Sequence, residues 1–222
     1  MTDVVPDLAR RGCLRPVPRD WLADDSRVVA ERLLGTVLVR PDLDGTRVEL
    51  RVVETEAYDQ SDPASHTHRG RTPGNATMFG PPGHAYVYFT YGMHHCANVV
   101  CGDEGHGAAV LLRAAEVLRG HEAVRPRRPS ARRDRQLADG PAKLCAALDL
   151  DRGWDGGDLC DPTGPLWLGH DDVDVDASRV RTGPRVGIRH AADQPWRYWV
   201  AGAPSVSGYR RHPRAPKPSA GR

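Results

Sequence analysis

The alternation of apolar and charged residues between Val48 and Val52 is the sequence feature that most constrains the fold. Val48, Leu50 and Val52 are separated by Glu49 and Arg51, so apolar side chains recur at every second position, which is the period of a β-strand. A strand of this pattern turns one face to a core and the other to water. The sequence therefore predicts a half-buried strand, and with it a sheet packed on an apolar layer.

Further short segments of helical and strand character follow along the chain, separated by glycine and proline. We expect helices at 26–34 and 141–148, and strands at 36–40, 85–91, 93–100, 108–113, 185–189 and 196–200. Turns, loops or irregular segments are expected at 42–45, 59–83, 125–135 and 149–183. This order predicts one α+β domain without an internal linker, residues 18–207, between a flexible arm at 1–17 and a basic flexible tail at 208–222.

Length and composition exclude several protein classes. The chain has 222 residues, of which 39% are hydrophobic, with 23 glycines and 19 prolines, so it is rich in loops without being of low complexity. It contains no run of 18 apolar residues, the length that a membrane-spanning helix needs. Its first residues have neither a basic segment nor an apolar segment typical of a secretion signal. We therefore expect a cytoplasmic protein.

Cysteine and histidine spacing argues against a metal site. The five cysteines include no C-x-x-C pair, so neither a disulfide framework nor a structural zinc site is expected. His94 and His95 are adjacent in a predicted strand and would point to opposite faces. The chain also lacks the nucleophilic-serine, Walker A and G-x-G-x-x-G motifs. We expect neither a metal nor another cofactor.

The net charge is only +2, but its distribution is uneven. Residues 119–135 contain seven arginines and two acidic residues, whereas residues 149–176 contain nine aspartates and one arginine. The tail from residue 208 carries basic residues and no acid. The basic segments would suit a polyanionic partner such as a nucleic acid. On charge alone, solvated loops are the interpretation to prefer, because runs of charge usually lie on solvated faces.

Two carboxylates mark the first candidate for chemistry. Glu54 and Glu56 are two residues apart near the end of the predicted strand, so both side chains lie on one face. They precede a long loop that contains His66 and His68, and a carboxylate next to such a loop is a suitable general base. The alternative is a pair of solvated strand carboxylates.

Aromatic residues mark the second candidate. Alternation places Tyr86 and Tyr88 on one face of their strand and Phe89 and Tyr91 on the other. Because Gly92 breaks the strand directly after it, Tyr91 could project from a tip, and rigid aromatic side chains stack on bases or wedge between them. A core strand with one exposed tyrosine is the alternative.

Two basic residues complete the candidates. Arg113 ends an apolar run, where it either caps a strand in water or binds a carboxylate of a neighbouring strand. Lys143 follows a helix start at 139–141, an arrangement suited to a phosphate and also found at ordinary helix ends.

The order of these motifs resembles the alkyladenine (3-methyladenine) DNA glycosylase family. The resemblance covers about residues 20–207 and rests on these segments: Val53-Glu-Thr-Glu-Ala-Tyr58, Ser65-His66, Arg71-Thr72, Asn75, Met78-Phe79, Tyr86-Val-Tyr-Phe-Thr-Tyr-Gly-Met93, Asn98, Leu111-Leu-Arg113, Gly140-Pro-Ala-Lys-Leu144, Gly183-Pro-Arg-Val-Gly-Ile188, Pro195-Trp-Arg-Tyr198 and Pro204-Ser-Val-Ser207. One departure is Gly74, where the family commonly has arginine before the asparagine.

The resemblance implies a fold and a reaction. The family fold is a single mixed domain around a curved antiparallel sheet with a protruding β-hairpin. The implied function is that of a monofunctional DNA glycosylase in base excision repair, which flips alkylated or deaminated purines out of double-stranded DNA and hydrolyses the N-glycosidic bond to leave an abasic site. A protein of this kind would act on the nucleoid, as a monomer.

The resemblance also implies the catalytic residues. Glu56 would activate the attacking water, and Arg113 and the main-chain carbonyl of Val186 would help to hold that water. Arg113 beside Glu56 would favour the ionised carboxylate. Negative charge near the sugar would stabilise an oxocarbenium-like transition state, as in glycoside hydrolysis.

The remaining roles concern the base and the DNA. Tyr58, His66 and Tyr88 would sandwich the flipped base, and Asn98 would obstruct the 2-amino group of guanine. Tyr91 would fill the vacated stack. The candidates for contact with the DNA backbone are Lys143, Met78 and Thr72.

Two other functions stay open at this stage. One is a catalytically silent protein that binds damaged DNA. The other is a metal-dependent hydrolase that uses His66, His68 and His95, for which excess chelator would abolish activity.

Overall fold

A nine-stranded antiparallel sheet dominates the described part of the molecule. The computed structural model describes residues 8–9, 12–41 and 45–216. The strands are β1 (Arg15–Pro16), β2 (Val37–Pro41), β3 (Arg47–Tyr58), β4 (Ala85–Thr90), β5 (His94–Val100), β6 (Ala109–Arg119), β7 (Trp167–His170), β8 (Val180–Gly183) and β9 (Arg197–Val200). The helices are α1 (Ser26–Arg32), α2 (His121–Arg127) and α3 (Pro141–Ala147).

The strand order explains why the sheet curls. Along the sheet the order is β1-β7-β2-β3-β6-β5-β4, and β9 joins β3 while β8 joins β9. The twelve-residue strand β3 pairs with β6 along most of its length. On its other edge it pairs first with β2 and, beyond Val53, with β9. Because β3 changes partner halfway and carries bulges there, the sheet bends. The expected mixed α+β domain around a curved antiparallel sheet is confirmed.

The sheet and the helices share one main core. Val29 and Ala30 of α1 and Leu144 of α3 pack with Val52 and Leu112 in the same buried cluster. Helix α1 begins where the Asp25 carboxylate accepts a hydrogen bond from the backbone N–H of Arg27, which satisfies an otherwise unpaired donor. Among the described residues, no helix is both long enough and apolar enough to cross a membrane.

The prediction that β3 is half-buried was wrong, because both of its faces are covered. Glu49 and Arg51, assigned to the solvent side, are each 0% exposed. The guanidinium of Arg51 forms a bidentate ion pair with Asp171, with distances of 2.9 and 2.7 Å, and its Nη1 also donates to the carbonyl of Gly35. A buried charge needs such a partner, and Asp171 lies 120 residues away in the chain.

Three segments differ from the predicted secondary structure. Residues 185–189 are not a strand, because Gly187 has a φ of +71°, which extended backbone does not adopt; the strand β8 precedes them. The acidic segment 149–183, expected to be irregular, contains β7 and β8. The segment 125–135, expected to be a loop, begins inside α2, which tolerates Pro126 near its end and is anchored by the buried Val124.

Parts of both expected flexible ends are packed. Leu8 and Val17 are buried, and β1 pairs with β7. In the basic tail, the carbonyl of Arg210 accepts a hydrogen bond from Gly187, and Arg211 forms an ion pair with Asp193. The described residues do not include 1–7, 10–11, 42–44 and 217–222. Of the predicted turn at 42–45, only Gly45 is therefore described.

Candidate active site

The strand β3 delivers the central carboxylate of the site. Glu56 is fully buried, and three donors surround its side chain. Its Oε2 accepts a hydrogen bond of 2.8 Å from the hydroxyl of Tyr58, and its Oε1 accepts one of 2.6 Å from the backbone N–H of Val186. Nη1 of Arg113 lies 3.3 Å from the same Oε1. The structure therefore brings together the three residues that the resemblance assigns to catalysis.

The contact of Val186 differs in detail from the expected one. Its N–H donates directly to Glu56, whereas the expected contact was between its carbonyl and a water molecule. The loop that carries Val186 continues into Gly187, whose positive φ turns the chain there. The main chain at this position thus contacts the Glu56 carboxylate directly.

A β-bulge positions Arg113. In the pairing of β3 with β6, Glu54 faces Ala114 and Thr55 faces Leu112, so Arg113 has no direct partner across the ladder. Bulges commonly redirect a side chain next to an active site. Here the guanidinium lies between the two glutamates, with its Nε donating to Glu54 at 2.9 Å. Burial alone would lower the pKa of Arg113, but the charges of Glu56 and Glu54 outweigh it and raise that pKa.

A pocket of about 120 Å³ opens beside Tyr58, which hydrogen-bonds Glu56. Its described lining residues come from β3, the 59–83 loop, the β4–β5 hairpin and the loop after β8: Tyr58, Ala64, His66, Met78, Tyr86, Tyr88, Asn98 and Ile188. The residues expected to bind the base, Tyr58, His66, Tyr88 and Asn98, are all in this set. Glu56 is not among these lining residues, but its carboxylate is hydrogen-bonded to Tyr58, which is.

The aromatic wall is internally ordered. The rings of Tyr86 and Tyr88 stack with centroids 5.6 Å apart, and His66 meets Tyr88 edge to face at 4.6 Å. Nδ1 of His66 is 2.9 Å from the hydroxyl of Tyr86. Across the hairpin, Nδ2 of Asn98 donates to the main-chain carbonyl of Tyr86, which fixes the amide at the pocket wall.

Burial raises the pKa values of the pocket tyrosines, which are neutral at about pH 7 in any case. The pKa of Tyr86 rises to about 12, and those of Tyr58 and Tyr88 are raised as well. The charge of Glu56 adds to the effect at Tyr58. Partial burial also lowers the pKa of His66. The pocket therefore has uncharged aromatic faces at neutral pH, and its carboxylate lies immediately behind them.

The structure adds pocket residues that the sequence analysis did not assign. Tyr86 lines the pocket with Tyr88, as the alternation along β4 could have indicated. Arg185 is also new: its guanidinium lies 4.6 Å from the ring of Tyr58 and 5.0 Å from that of Trp196. It donates to the carbonyl of Ala57 and forms an ion pair with Asp62. Arg185 thus supports Tyr58 from within the protein, and no local pattern in the sequence signals this.

The β4–β5 hairpin presents Tyr91 at its tip. Tyr91 has a φ of +51° and is followed by Gly92 at +68°, so both residues take the left-handed conformation of a tight turn. Tyr91 is 84% exposed, and Met93 and Phe89 beside it are 70% and 53% exposed. The side chain expected to intercalate is therefore at the end of an apolar projection.

The three candidates for the DNA backbone lie in different settings. The side chain of Met78 is buried and forms part of the pocket wall, so a contact of this side chain with the backbone does not fit its placement. Thr72 is exposed, and its N–H donates to Asn75, whose own amide bonds the carbonyls of His66 and Gly70. Lys143 is half exposed and bonds Asp139.

The geometry offers no support for a metal-dependent hydrolase. Within the parts of the chain that the structure describes, no three or more side chains of histidine, cysteine, aspartate or glutamate are grouped to hold a metal ion. His66 and His95 each pack against an aromatic ring instead.

Known proteins similar to this chain agree with the geometry of the site. Residues 20–204 match the model of the family described as "Methylpurine-DNA glycosylase (MPG)". A protein of Streptomyces avermitilis is 54% identical over 200 residues, covering 89% of this chain and 93% of the relative. Relatives from Nocardia farcinica and Mycobacterium tuberculosis are each 47% identical over 201 residues, covering 88% of this chain and 92% and 95% of the relatives. All three bear the name "Putative 3-methyladenine DNA glycosylase".

These matches cover most of the chain and confirm the resemblance found in the sequence. The expected type of enzyme, a hydrolase of N-glycosyl bonds in alkylated DNA that serves base excision repair, is confirmed with it. The chain belongs to the methylpurine-DNA glycosylase family.

Proposed function

We propose that this protein is a monofunctional glycosylase that flips alkylated or deaminated purines out of double-stranded DNA and leaves an intact abasic site. The observation that carries the proposal is the position of Glu56, held by Tyr58, Val186 and Arg113 directly behind a pocket with aromatic walls. A target base cannot reach such a pocket while it is stacked in the duplex, so it has to be extruded.

The pocket suits a flat, cationic or neutral purine. The rings of Tyr58, His66 and Tyr88 line the pocket and would stack on the base, and the two tyrosines are uncharged at neutral pH. A cationic alkylated base gains about 0.5–2 kcal/mol from such faces. Asn98 is held by Tyr86 at the pocket wall, where it would collide with the 2-amino group of guanine.

Glu56 is the proposed general base. Its carboxylate would take a proton from the water that attacks the anomeric carbon, and its charge would stabilise the positive sugar in the transition state. Arg113 faces the same carboxylate, with its Nη1 3.3 Å from Oε1 of Glu56. The N–H of Val186 fixes the orientation of the carboxylate.

The exposed hairpin tip is the proposed wedge. Residues 85–100 contain no aspartate, glutamate, lysine or arginine, so the tip can enter the base stack without removing a charge from water. Tyr91 would occupy the space of the flipped base.

Lysine placement supports a reaction without a Schiff base. The sequence contains two lysines, Lys143 and Lys217. Lys143 is bonded to Asp139 on α3 and is not among the described pocket residues. Strand cleavage through a lysine imine would therefore need Lys217, which lies outside the described residues.

A single-turnover assay in EDTA tests the proposal. The substrates are duplexes with one hypoxanthine or one ethenoadenine, beside N-methylated genomic DNA, and released base and strand breaks are measured with and without alkali. We expect base release in EDTA and breaks only after alkali. Lesion-dependent binding without release would instead indicate a silent binder of damaged DNA, and breaks without alkali would contradict the monofunctional assignment.

A further inference from the structure

Glu54 has different hydrogen-bond partners from Glu56, which lies two residues further along β3. It is fully buried and accepts four hydrogen bonds. Its Oε1 accepts from Nε of Arg113 at 2.9 Å, from Nε of Arg197 at 2.7 Å and from the hydroxyl of Ser207 at 2.8 Å. Its Oε2 accepts from the backbone N–H of Ser207 at 2.7 Å.

These contacts make Glu54 unsuitable as a base. Its two oxygens already accept from two guanidinium groups and from the N–H and hydroxyl of Ser207. Glu54 also has no contact with a described residue of the pocket wall, unlike Glu56, which bonds Tyr58. The two glutamates and the two arginines, Arg113 and Arg197, balance in charge, so the cluster can be buried as a unit.

The same contacts determine the orientation of Arg113. Its Nε is bonded to Glu54, its Nη2 donates to the hydroxyl of Ser207 at 3.2 Å, and its Nη1 then faces Glu56 at 3.3 Å. A planar guanidinium fixed at two of its nitrogens has little freedom to turn the third. The contacts of Nε with Glu54 and of Nη2 with Ser207 therefore direct Nη1 toward Glu56.

The chain after β9 provides the second of these contacts. Ser207 bonds Glu54 through both its N–H and its hydroxyl, and its carbonyl accepts from Nη2 of Arg197 at 2.7 Å. A segment more than 90 residues from Arg113 in sequence therefore joins the catalytic centre.

We propose that Glu54 and Ser207 are positioning residues for the glycosylase reaction, and that Ser207 completes the catalytic centre by orienting Arg113. The proposal rests on the proposed function of Arg113 and Glu56. Its effect is on the chemical step, because neither Glu54 nor Ser207 is among the described residues that line the base pocket.

The Ser207→Ala variant is the first test. It removes the hydroxyl that links Glu54 and Arg113 but keeps the main-chain bonds of residue 207. Glu54 is a poorer target, because replacing it would leave Arg113 and Arg197 buried without their shared carboxylate. The control is Ser205→Ala, a buried serine of the same segment whose side chain lies outside this set of bonds.

We expect Ser207→Ala to slow single-turnover excision of ethenoadenine about 3- to 10-fold, the effect of one or two hydrogen bonds. The dissociation constant for lesion-containing duplex should stay within about twofold of wild type, since the base pocket is intact. Ser205→Ala should keep the wild-type excision rate. An unchanged excision rate in Ser207→Ala would overturn the proposal.

A double-mutant cycle shows whether Ser207 acts through Arg113. In an Arg113→Ala background, adding Ser207→Ala should cause no further slowing of excision. A further loss of about 3- to 10-fold, equal to the effect of Ser207→Ala in the wild-type background, would refute the proposal that Ser207 acts through Arg113. If Arg113→Ala has no detectable excision, the cycle is measured on the free energy of unfolding, where additive effects would refute it. Absence of excision by the wild-type protein would reject the proposed function itself, whatever the variants do.

Discussion

Replacing Glu56 by glutamine removes the proposed general base while keeping the shape of the side chain. Glutamine has the same shape as glutamate but lacks its charge. Its amide oxygen can still accept from the N–H of Val186 and face Arg113, and its NH₂ group can donate to the hydroxyl of Tyr58, which is able to turn and accept. We therefore expect Glu56→Gln to fold with the pocket intact and to lose the general base.

The magnitude follows from the contacts. A general base contributes about 10²–10⁴ in rate, and the loss of its charge next to the positive sugar adds to this, so excision should slow by at least about 10³-fold, or ~4 kcal/mol. Arg113 keeps its bond to Glu54, which limits the loss of stability to about 1–3 kcal/mol. For a domain of this size that lowers Tm by about 2–12 °C.

The assay uses ethenoadenine, because this lesion is neutral and its binding does not depend directly on the charge of Glu56. Excision is followed under single turnover with enzyme in excess, and affinity is measured by fluorescence anisotropy on the same duplex. Tyr58→Phe is the matched control, since it removes one bond to Glu56 and keeps the carboxylate; it should slow excision about 10-fold or less. A Glu56→Gln rate within tenfold of wild type would refute the assignment of Glu56 as the base.

Three further predictions test the wedge, the pocket wall and the histidine. Tyr91→Ala should weaken lesion-duplex binding about 10- to 100-fold, the loss of one stacked base, with Tm unchanged because the side chain is exposed; unchanged affinity in anisotropy titrations would exclude it as the wedge. Asn98→Ser should raise excision of guanine-type relative to adenine-type lesions about 10-fold, measured as released base, and a constant ratio would mean that another group rejects the 2-amino substituent. Because the pKa of His66 is lowered from 6.5 in the folded protein, the unfolded chain binds more protons between the two values, and stability falls as the pH drops through that window. His66→Gln should reduce this fall in Tm below pH 6.5, and identical pH profiles would contradict the role of His66.

The sequence predicted the local elements that carry the site. Alternation along β3 and β4, the glycine after Tyr91 and the loop that holds His66 could each be read from neighbouring residues, because strand period and turn chemistry are local properties. The order of the motifs then indicated the family and, through it, the pocket residues. Met78 was the exception. It was expected to contact the DNA backbone, but its side chain is buried, and burial depends on which segments pack over a residue.

Only the tertiary structure shows how the surroundings of the two glutamates differ. The strand pattern gives Glu54 and Glu56 the same strand and face, and it was the family resemblance that singled out Glu56. The bulge opposite Arg113 places the guanidinium between them, and Ser207 binds one of the two. Glu54 thereby becomes part of the support, whereas Glu56 is left next to the pocket.

The same reason explains why the polar face of β3 could not be predicted. Whether Arg51 faces water depends on Asp171, which is far along the chain in a segment expected to be irregular. The packing of Arg185 against Tyr58 likewise joins two distant loops. Local patterns determine which side chains share a face, but the partners that make a buried charge stable come from remote segments, and only folding brings them together.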